Sequence, residues 1–311
     1  MVAQFIDSAF TKFNNLCMRK TIALISILAL TFAVSAFPVV PASLDVPTEL
    51  YTETAVAIEG NGRTVPGTLC LPVSDTPVPA VVMLHGTGSS RDEAGNGYLL
   101  TAPVLAKAGI ASLRIDFPGS GDSEAGYELY CYTAAKEDAI AAKRYLERVP
   151  EIDGERVGIM GWSQGGSDAI YIAAVTDEFK SVVLWAGALD LSGVGDEAMY
   201  EEARANGYAM LEYDWRDSQK LGLVWFEETY STDLLSLVED ITAPLLAING
   251  EVDDTVDPAS GRLIAETAPN ALSDYTVIPG ADHTFNIFSE PLAETLALTA
   301  GTTASWFKET L

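Results

Sequence analysis

Residues 156–165 read Arg-Val-Gly-Ile-Met-Gly-Trp-Ser-Gln-Gly, and a helix-forming stretch over residues 167–174 follows them. An apolar strand, a sharp turn and a helix in this order form the setting in which Gly-x-Ser-x-Gly presents a nucleophilic serine. The flanking glycines let neighbouring backbone approach closely because they carry no Cβ. The helix that starts after Ser163 directs its positive end at developing negative charge. The stretch therefore predicts Ser163 as a nucleophile, and the alternative is a tight structural turn.

The choice of a base is narrow because the chain contains only two histidines. A serine hydroxyl is a weak nucleophile and needs such a base beside it. His283 follows the strand-like residues 275–278, whereas His85 ends the apolar run 81–84 and opens a glycine-rich loop. In the chain order serine, acid, histidine the base comes last. We therefore predict His283 as the base and His85 as a packing residue of its loop; a solvated loop histidine is the alternative for His283.

The acid of a triad is expected between Ser163 and His283, at the end of a strand. Residues 244–250 form such a strand and run into four carboxylates within residues 251–257. A Gly-x-x-Asp-x-x-Val reading selects Asp253, which would hold the imidazole tautomer and stabilise the imidazolium. Three other carboxylates remain as alternatives: Asp254, Asp257 and Asp282.

Acyl transfer also requires hydrogen-bond donors for the oxyanion. The segment His85-Gly86-Thr87-Gly88 follows an early strand and is glycine-rich. We predict the backbone N–H groups of Thr87 and of Gln164, the residue after the nucleophile, as the two donors. The alternative for residues 86–88 is an ordinary strand-to-helix loop.

With these motifs the chain resembles the α/β-hydrolase superfamily of serine esterases, and within it the cinnamoyl/feruloyl esterase and dienelactone-hydrolase-like branch. The resemblance runs from about residue 50 to the C-terminus and rests on His85-Gly86-Thr87-Gly88, residues 105–110, residues 114–123, Gly161–Gly166, Gly250–Asp253 and Gly280–His283. It implies ester cleavage through a Ser-His-Asp triad and an acyl-enzyme intermediate, without a cofactor. The motifs are specific to the fold and not to a substrate. One departure is Asn249, where the family usually has histidine before the acid-loop glycine.

The coarse pattern agrees with an α/β fold. Two strand-like runs at 52–58 and 65–71 are separated by a hairpin signal. Apolar strands then alternate with helical stretches, which implies strands buried on both faces. We predict an α/β-hydrolase fold over residues 43–311, a mostly parallel eight-stranded sheet with helices on both faces. The other strands are expected near 80–85, 111–116, 157–162, 181–187, 243–249 and 274–279, and the helices near 97–108, 133–148, 164–175, 259–267 and 291–308.

Residues 190–240, which we call the insertion, interrupt this alternation. They are too long for a simple crossover and show no strand-like run. We predict a helical lid over the substrate pocket, and we expect about half of its seven aromatic rings to be core. Candidate pocket residues are Trp162, Trp215, Trp225 and Phe226. Rings facing the cleft would favour an apolar or aromatic acyl group.

The N-terminus is predicted as a signal peptide over residues 1–42, with Met18 as a possible true start. Met18-Arg19-Lys20 precedes an apolar stretch and two candidate cleavage sites, after Ala36 and after Ala42. An uncleaved membrane anchor is the alternative. The prediction is a secreted or periplasmic protein with no stable membrane insertion after cleavage. Export would permit a disulfide between Cys70 and Cys131, which the sequence leaves open, and their spacing does not suggest a metal site.

The formal net charge is −26, from 44 acidic and 18 basic residues. Such a surface repels nucleic acid and disfavours anionic substrates, so the expected partner is a small neutral ester. A high-salt habitat is another explanation for the acidity. The sequence thus favours a secreted carboxylic-ester hydrolase; a serine peptidase or aminopeptidase of the same fold is the second hypothesis, and a non-catalytic binding protein is the third. The oligomeric state is not predicted.

Overall fold

An eight-stranded sheet organises the chain in the computed structural model, which describes residues 36–60, 62–289 and 294–311. The order is β1-β2-β4-β3-β5-β6-β9-β10. β1 and β2 pair antiparallel, β2 joins β4 antiparallel, and the remaining neighbours are parallel. The strands are β1 (Tyr51–Glu59), β2 (Thr64–Pro72), β3 (Val78–Leu84), β4 (Ala111–Ile115), β5 (Ile152–Trp162), β6 (Val182–Trp185), β7 (Tyr208–Leu211), β8 (Gln219–Gly222), β9 (Leu245–Gly250) and β10 (Asp274–Ile278). This confirms the predicted fold class.

Helices cover both faces of the sheet, and β3 shows how. Val82 and Leu84 belong to one core cluster, which includes Ala139 and Ile170. Val81 and Met83 belong to a second cluster on the opposite face. Because successive side chains of a strand point to opposite faces, a strand buried on both faces must be apolar throughout. The helices are α1 (Gly97–Lys107), α2 (Tyr132–Leu146), α3 (Gln164–Val175), α4 (Glu197–Asn206), α5 (Leu223–Ser231), α6 (Leu234–Val238), α7 (Ala259–Thr267) and α8 (Glu294–Thr310).

The insertion is not wholly helical, and that part of the prediction is wrong. After α4 the chain forms a hairpin in which β7 and β8 pair antiparallel as a separate two-stranded sheet. Gly207 ends α4 at φ 87°, a left-handed conformation that suits glycine. Each strand has only four residues, and Ala209 and Leu221, paired across the hairpin, are both buried. Strands this short give too few alternations for the sequence pattern to reveal them.

Residues 36–42 form a strap along one edge of the sheet. The N–H of Phe37 donates to the carbonyl of Tyr275 on the edge strand β10 at 2.9 Å. The Phe37 ring packs edge-on against Trp306, with centroids 5.2 Å apart. Farther along, the N–H of Val40 donates to Thr302 Oγ1 at 2.9 Å. The strap therefore belongs to the packed part of the chain.

The remaining sequence predictions to compare with the structure concern the signal peptide and the two cysteines. The greater part of the predicted signal peptide, residues 1–35, lies outside the described residues. Within the described ranges, no helix is long and apolar enough to cross a membrane. Cys70 and Cys131 are both buried free thiols, and burial raises the pKa of each to about 12.

Candidate active site

Ser163 occupies the sharp turn between β5 and α3. Its backbone lies at φ 55°, ψ −119°, and its N–H donates to the carbonyl of Trp185 at 2.8 Å. The turn requires glycine on both sides. A Cβ on Gly161 would lie 1.8 Å from the carbonyl oxygen of Gly165, and one on Gly165 would lie 2.2 Å from that of Leu84. The strained turn lifts the hydroxyl off the strand end, as a nucleophile requires.

The structure brings His283 and Asp253 to Ser163 from two neighbouring strand ends. His283 Nε2 lies 3.1 Å from Ser163 Oγ, and His283 Nδ1 lies 2.9 Å from Asp253 Oδ2. With its proton on Nδ1, the imidazole donates to the carboxylate and accepts from the serine hydroxyl. These are the distances that a nucleophile, a base and an orienting acid require.

The Asp253 carboxylate is built to stay ionised. Its side chain is fully buried, and burial acts to raise its pKa. The hydrogen bond from His283 and the N–H groups of Val256 and Thr255 outweigh burial, so the pKa lies below its usual value. Asp254 is exposed, and Asp257 accepts the N–H of Ala259 at 2.9 Å.

The remaining alternative acid, Asp282, serves its own loop. Its Oδ1 accepts the N–H groups of Thr284 and Asn286, each at 2.8 Å. Of the four candidate carboxylates, Asp253 is therefore the one that contacts the imidazole.

Thr87 and Gln164 lie on the two loops that flank the nucleophile. The Thr87 hydroxyl donates to the side-chain oxygen of Gln164, which ties the loops together. Within the described part of the chain, neither backbone N–H has an acceptor. Gln164 is also the first residue of α3, whose N-terminal end carries partial positive charge. Two unpaired N–H groups beside Ser163 suit a developing oxyanion.

His85 has a different environment from His283. It is 3% exposed, its Nδ1 lies 2.9 Å from the carbonyl of Gly86, and its Nε2 accepts the N–H of Phe117 at 3.2 Å. This pairing fixes a neutral ring, and burial lowers its pKa. His85 thus shapes the loop that carries Gly86 and Thr87.

A cavity of about 1400 Å³ opens over Ser163 and His283. Trp162 and Trp215 line it, as predicted. Trp225 and Phe226 do not, and their assignment to the pocket is wrong. Both are buried in the core, where their rings lie 5.0 Å apart. Aromatic content alone does not reveal the direction in which a ring points.

Three further residues of the cavity wall were not predicted from the sequence. Phe288 lies at the mouth and is 71% exposed. Arg216 lies on the hairpin, and its Nη1 donates to the carbonyl of Gly88 at 2.8 Å. Glu93 is buried beside Ser163. In the sequence, Arg91-Asp92-Glu93 looks like an ordinary solvated run. The one signal that could have indicated Glu93 is its place in the same loop, eight residues after His85.

The charged side chains of the cavity wall are mostly acidic. Among the described lining residues, three are carboxylates, Glu93, Asp214 and Asp217, and one is a cation, Arg216. No three His, Cys, Asp or Glu side chains of the described ranges are grouped as metal ligands. The arrangement brings together a serine hydroxyl, an imidazole, a carboxylate and two backbone N–H groups, which are the groups that acyl transfer uses.

Comparison with known proteins adds the family. A sequence profile described as the alpha/beta hydrolase family matches residues 81–298. Among solved structures, Est1E from Butyrivibrio proteoclasticus with ferulic acid bound has a TM-score of 0.66 at 20% identity, covering 82% of this chain and 99% of that one. A dienelactone hydrolase from Anabaena variabilis has a TM-score of 0.60 at 24% identity, covering 84% and 99%.

A curated relative is more similar in sequence but over a shorter stretch. The 2-hydroxy-6-oxononadienedioate/2-hydroxy-6-oxononatrienedioate hydrolase of Cupriavidus pinatubonensis is 27% identical over 161 residues, 52% of each chain. The match thus spans about half the length of that relative. The structural likenesses, all under 25% identical, concern the fold.

Proposed function

The chain belongs to the alpha/beta hydrolase family, and from that premise we propose that it is a serine hydrolase of carboxylic esters. The observation that carries the proposal is the chain of hydrogen-bond distances from Ser163 through His283 to Asp253. It lies beside the unpaired N–H groups of Thr87 and Gln164. Nucleophile, base and oxyanion donors thus converge where a carbonyl carbon would sit.

The chemistry follows from these positions. Ser163 Oγ attacks the ester carbonyl carbon while His283 Nε2 takes the hydroxyl proton, and the carbonyl oxygen becomes an oxyanion at the N–H groups of Thr87 and Gln164. The C–O bond to the alcohol then breaks, and His283 returns the proton to the departing oxygen. Water, deprotonated by His283, then attacks the acyl carbon; the bond from this carbon to Ser163 Oγ breaks, His283 returns the proton to Ser163 Oγ, and the acid is released. Asp253 stabilises the imidazolium in both halves of the reaction.

The substrate we propose is a neutral ester with an apolar or aromatic group. Two exposed rings, Trp215 and Phe288, stand at the cavity mouth, where they offer apolar area to such a group. The wall carries three carboxylates and one guanidinium, and the whole chain has a net charge of −26. An anionic substrate would meet repulsion from this field.

The test is a substrate panel on purified protein with Ser163→Ala as the background control. We expect turnover of p-nitrophenyl acetate and butyrate and of hydroxycinnamate esters, and none by the Ser163→Ala variant. The alternative is a serine peptidase or aminopeptidase of the same fold, favoured by the carboxylates Asp214 and Asp217 that would attract an amine. Cleavage of aminoacyl-p-nitroanilides in preference to every ester would replace our proposal with that one.

We also propose export through the N-terminal signal segment, with cleavage after Ala36. Cleavage there leaves Phe37 in place, whereas cleavage after Ala42 removes the ring that packs on Trp306 and the N–H bond to Tyr275. Mass spectrometry of the exported protein is the test. A mature N-terminus at Phe37 is expected, and retention of the full chain in the cytoplasm would contradict the proposal.

A further inference from the structure

Glu93 is a buried carboxylate that the proposed reaction leaves without a role. It lines the cavity next to Ser163 and is 8% exposed. Neighbouring arginines are engaged elsewhere: Arg91 pairs with Asp116, and Arg114 pairs with Asp92. Within the described ranges, Glu93 forms no ion pair with Lys or Arg. A buried charge without an ionic partner is costly, so its retention calls for a reason.

The carboxylate holds backbone N–H groups instead. Glu93 Oε1 accepts the N–H of Gly86 at 2.8 Å, and Oε2 accepts that of Ala94 at 3.0 Å. The Ser89 side chain also acts to lower the pKa of this carboxyl. Gly86 directly precedes Thr87, whose N–H is a proposed oxyanion donor. The bond to Gly86 therefore fixes the peptide next to that donor.

The space around Gly86 shows how closely the carboxylate approaches the nucleophile. A Cβ on Gly86 would lie 3.0 Å from Glu93 Oε1 and 3.3 Å from Ser163 Cβ. Gly86 thus lies close to both the carboxylate and the serine, with little space for a side chain of its own. A small displacement of Gly86 would move Thr87 relative to Ser163.

The backbone of Glu93 is itself strained. Its φ is 65° and its ψ is 177°, a region that residues other than glycine rarely adopt. Such a conformation is unfavourable and persists only where the surrounding structure holds it in place, most often at functional sites. The strain and the unpaired buried charge are two independent observations on the same residue.

We propose that Glu93 is a positioning residue for the oxyanion hole: its carboxylate holds the Gly86 N–H and so aims the Thr87 N–H at the substrate carbonyl oxygen. The inference rests on the proposed ester hydrolysis and deepens it. Glu93 acts through the loop and does not itself contact the reacting atoms.

The position also makes the hole sensitive to pH. Burial raises the pKa of Glu93 to about 7, against hydrogen bonds from Ser89, Gly86 and Ala94 and the charge of His283. Among the described residues, Tyr98 of α1 is a second titratable group that interacts with this carboxyl. Protonation weakens one of the two carboxyl oxygens of Glu93 as a hydrogen-bond acceptor. The hydrogen bonds that hold the loop therefore weaken as the pH falls through about 7.

The experiment compares kcat and KM of the wild type and Glu93→Gln on p-nitrophenyl acetate between pH 5 and 9. At pH 8.5 we expect kcat to fall about 10- to 100-fold in the variant, since a displaced oxyanion donor costs up to about 10²-fold, with KM changed less than about threefold. In the wild type the acidic limb of the kcat profile should include a fall through about pH 7, so the ratio of wild-type kcat to Glu93→Gln kcat should shrink toward pH 5.

The matched control is Glu155→Gln, which changes an exposed carboxylate near the start of β5, whereas Ser163 follows the end of that strand. The kcat and the acidic limb of this variant should equal those of the wild type. Ser89→Ala removes a side chain that lowers the pKa of Glu93 and should therefore move the acidic limb to higher pH. If Glu93→Gln does not fold, an unmoved limb in Ser89→Ala overturns the inference.

Two other results would also overturn it. One is a Glu93→Gln variant with wild-type kcat, and the other is a loss of kcat in Glu93→Gln that is the same at every pH, which marks a structural role only. A wild-type protein that hydrolyses no ester and is not labelled at Ser163 would instead refute the proposed function.

Discussion

Replacing Asp253 with asparagine alters the proposed triad where the structure assigns a partner to each oxygen. Oδ1 accepts the N–H groups of Thr255 and Val256 at 2.9 and 2.8 Å. Oδ2 faces His283 Nδ1 at 2.9 Å. An asparagine that keeps its oxygen on the two backbone donors must turn its NH₂ group toward His283. The imidazole then accepts at Nδ1 and carries its proton on Nε2, where it can no longer take the proton of Ser163.

The size of the effect follows from that tautomer. Loss of the productive tautomer in a serine triad lowers kcat by about 10⁴-fold. The flipped asparagine offers no escape, because its NH₂ would face the N–H groups of Thr255 and Val256, and each donor left unpaired costs about 1–3 kcal/mol. We therefore expect Asp253→Asn to lower kcat about 10⁴-fold, with a circular dichroism spectrum like that of the wild type.

The assay is p-nitrophenyl acetate hydrolysis at pH 8, with Asp254→Asn and Asp257→Asn as matched controls. Asp254 is exposed and Asp257 bonds the N–H of Ala259, so both variants should retain kcat within about threefold, the range usual for surface changes. An Asp253→Asn variant within tenfold of wild type would refute the reasoning. An inactive Asp254→Asn beside an active Asp253→Asn would shift the acid by one residue.

Three other predictions concern the cavity, the core and the strap. Trp215 and Phe288 are exposed rings at the cavity mouth. Trp215→Ala and Phe288→Ala should each lower kcat/KM for hydroxycinnamate esters about 5-fold or more, by the discrimination typical of apolar pockets, and should leave kcat/KM for p-nitrophenyl acetate nearly unchanged. Equal losses on both esters would contradict a role of these rings in substrate binding. Burial raises the pKa of Asp168 well above its usual value, so the stability that this carboxyl contributes is fully present below about pH 4 and is lost as the pH rises toward the raised pKa. Asp168→Asn should therefore unfold at a higher urea concentration than the wild type at pH 8, and the difference should shrink toward pH 4. A difference that is the same at both pH values would contradict this linkage. A chain beginning at Ser43 should unfold more easily than one beginning at Phe37, by about 1.5–3 kcal/mol for the buried ring; equal melting temperatures would show that the strap does not stabilise the fold.

The sequence predicts the fold well because its signals are local. The eight strands of the main sheet follow the apolar runs. The turn around Ser163 can be recognised because it requires glycine, since a Cβ on Gly161 would lie 1.8 Å from the carbonyl oxygen of Gly165. His283 and Asp253 could be named because each follows a strand whose neighbours carry the rest of the site. Parallel strands bring such positions to one edge of the sheet.

The sequence does not show in which direction a side chain points, nor which residues form hydrogen bonds when they are separated along the chain. Two of the aromatic residues of the insertion are tryptophans, yet Trp225 is 2% exposed and Trp215 is 73% exposed. Glu93 reads as a solvated carboxylate, and only the fold places it on the N–H of Gly86. The hairpin of the insertion was missed because a pair of four-residue strands has almost no period.

The proposed nucleophile is tested most directly by covalent labelling. Purified protein is treated with a fluorophosphonate at pH 8, digested, and mapped by mass spectrometry, with the Ser163→Ala and His283→Ala variants in parallel. The account predicts one equivalent of label on Ser163 in the wild type, none in Ser163→Ala, and labelling slowed about 10⁴-fold or more in His283→Ala, by analogy with triad knockouts. Label on another serine, or ester hydrolysis at the wild-type rate by Ser163→Ala, would contradict it.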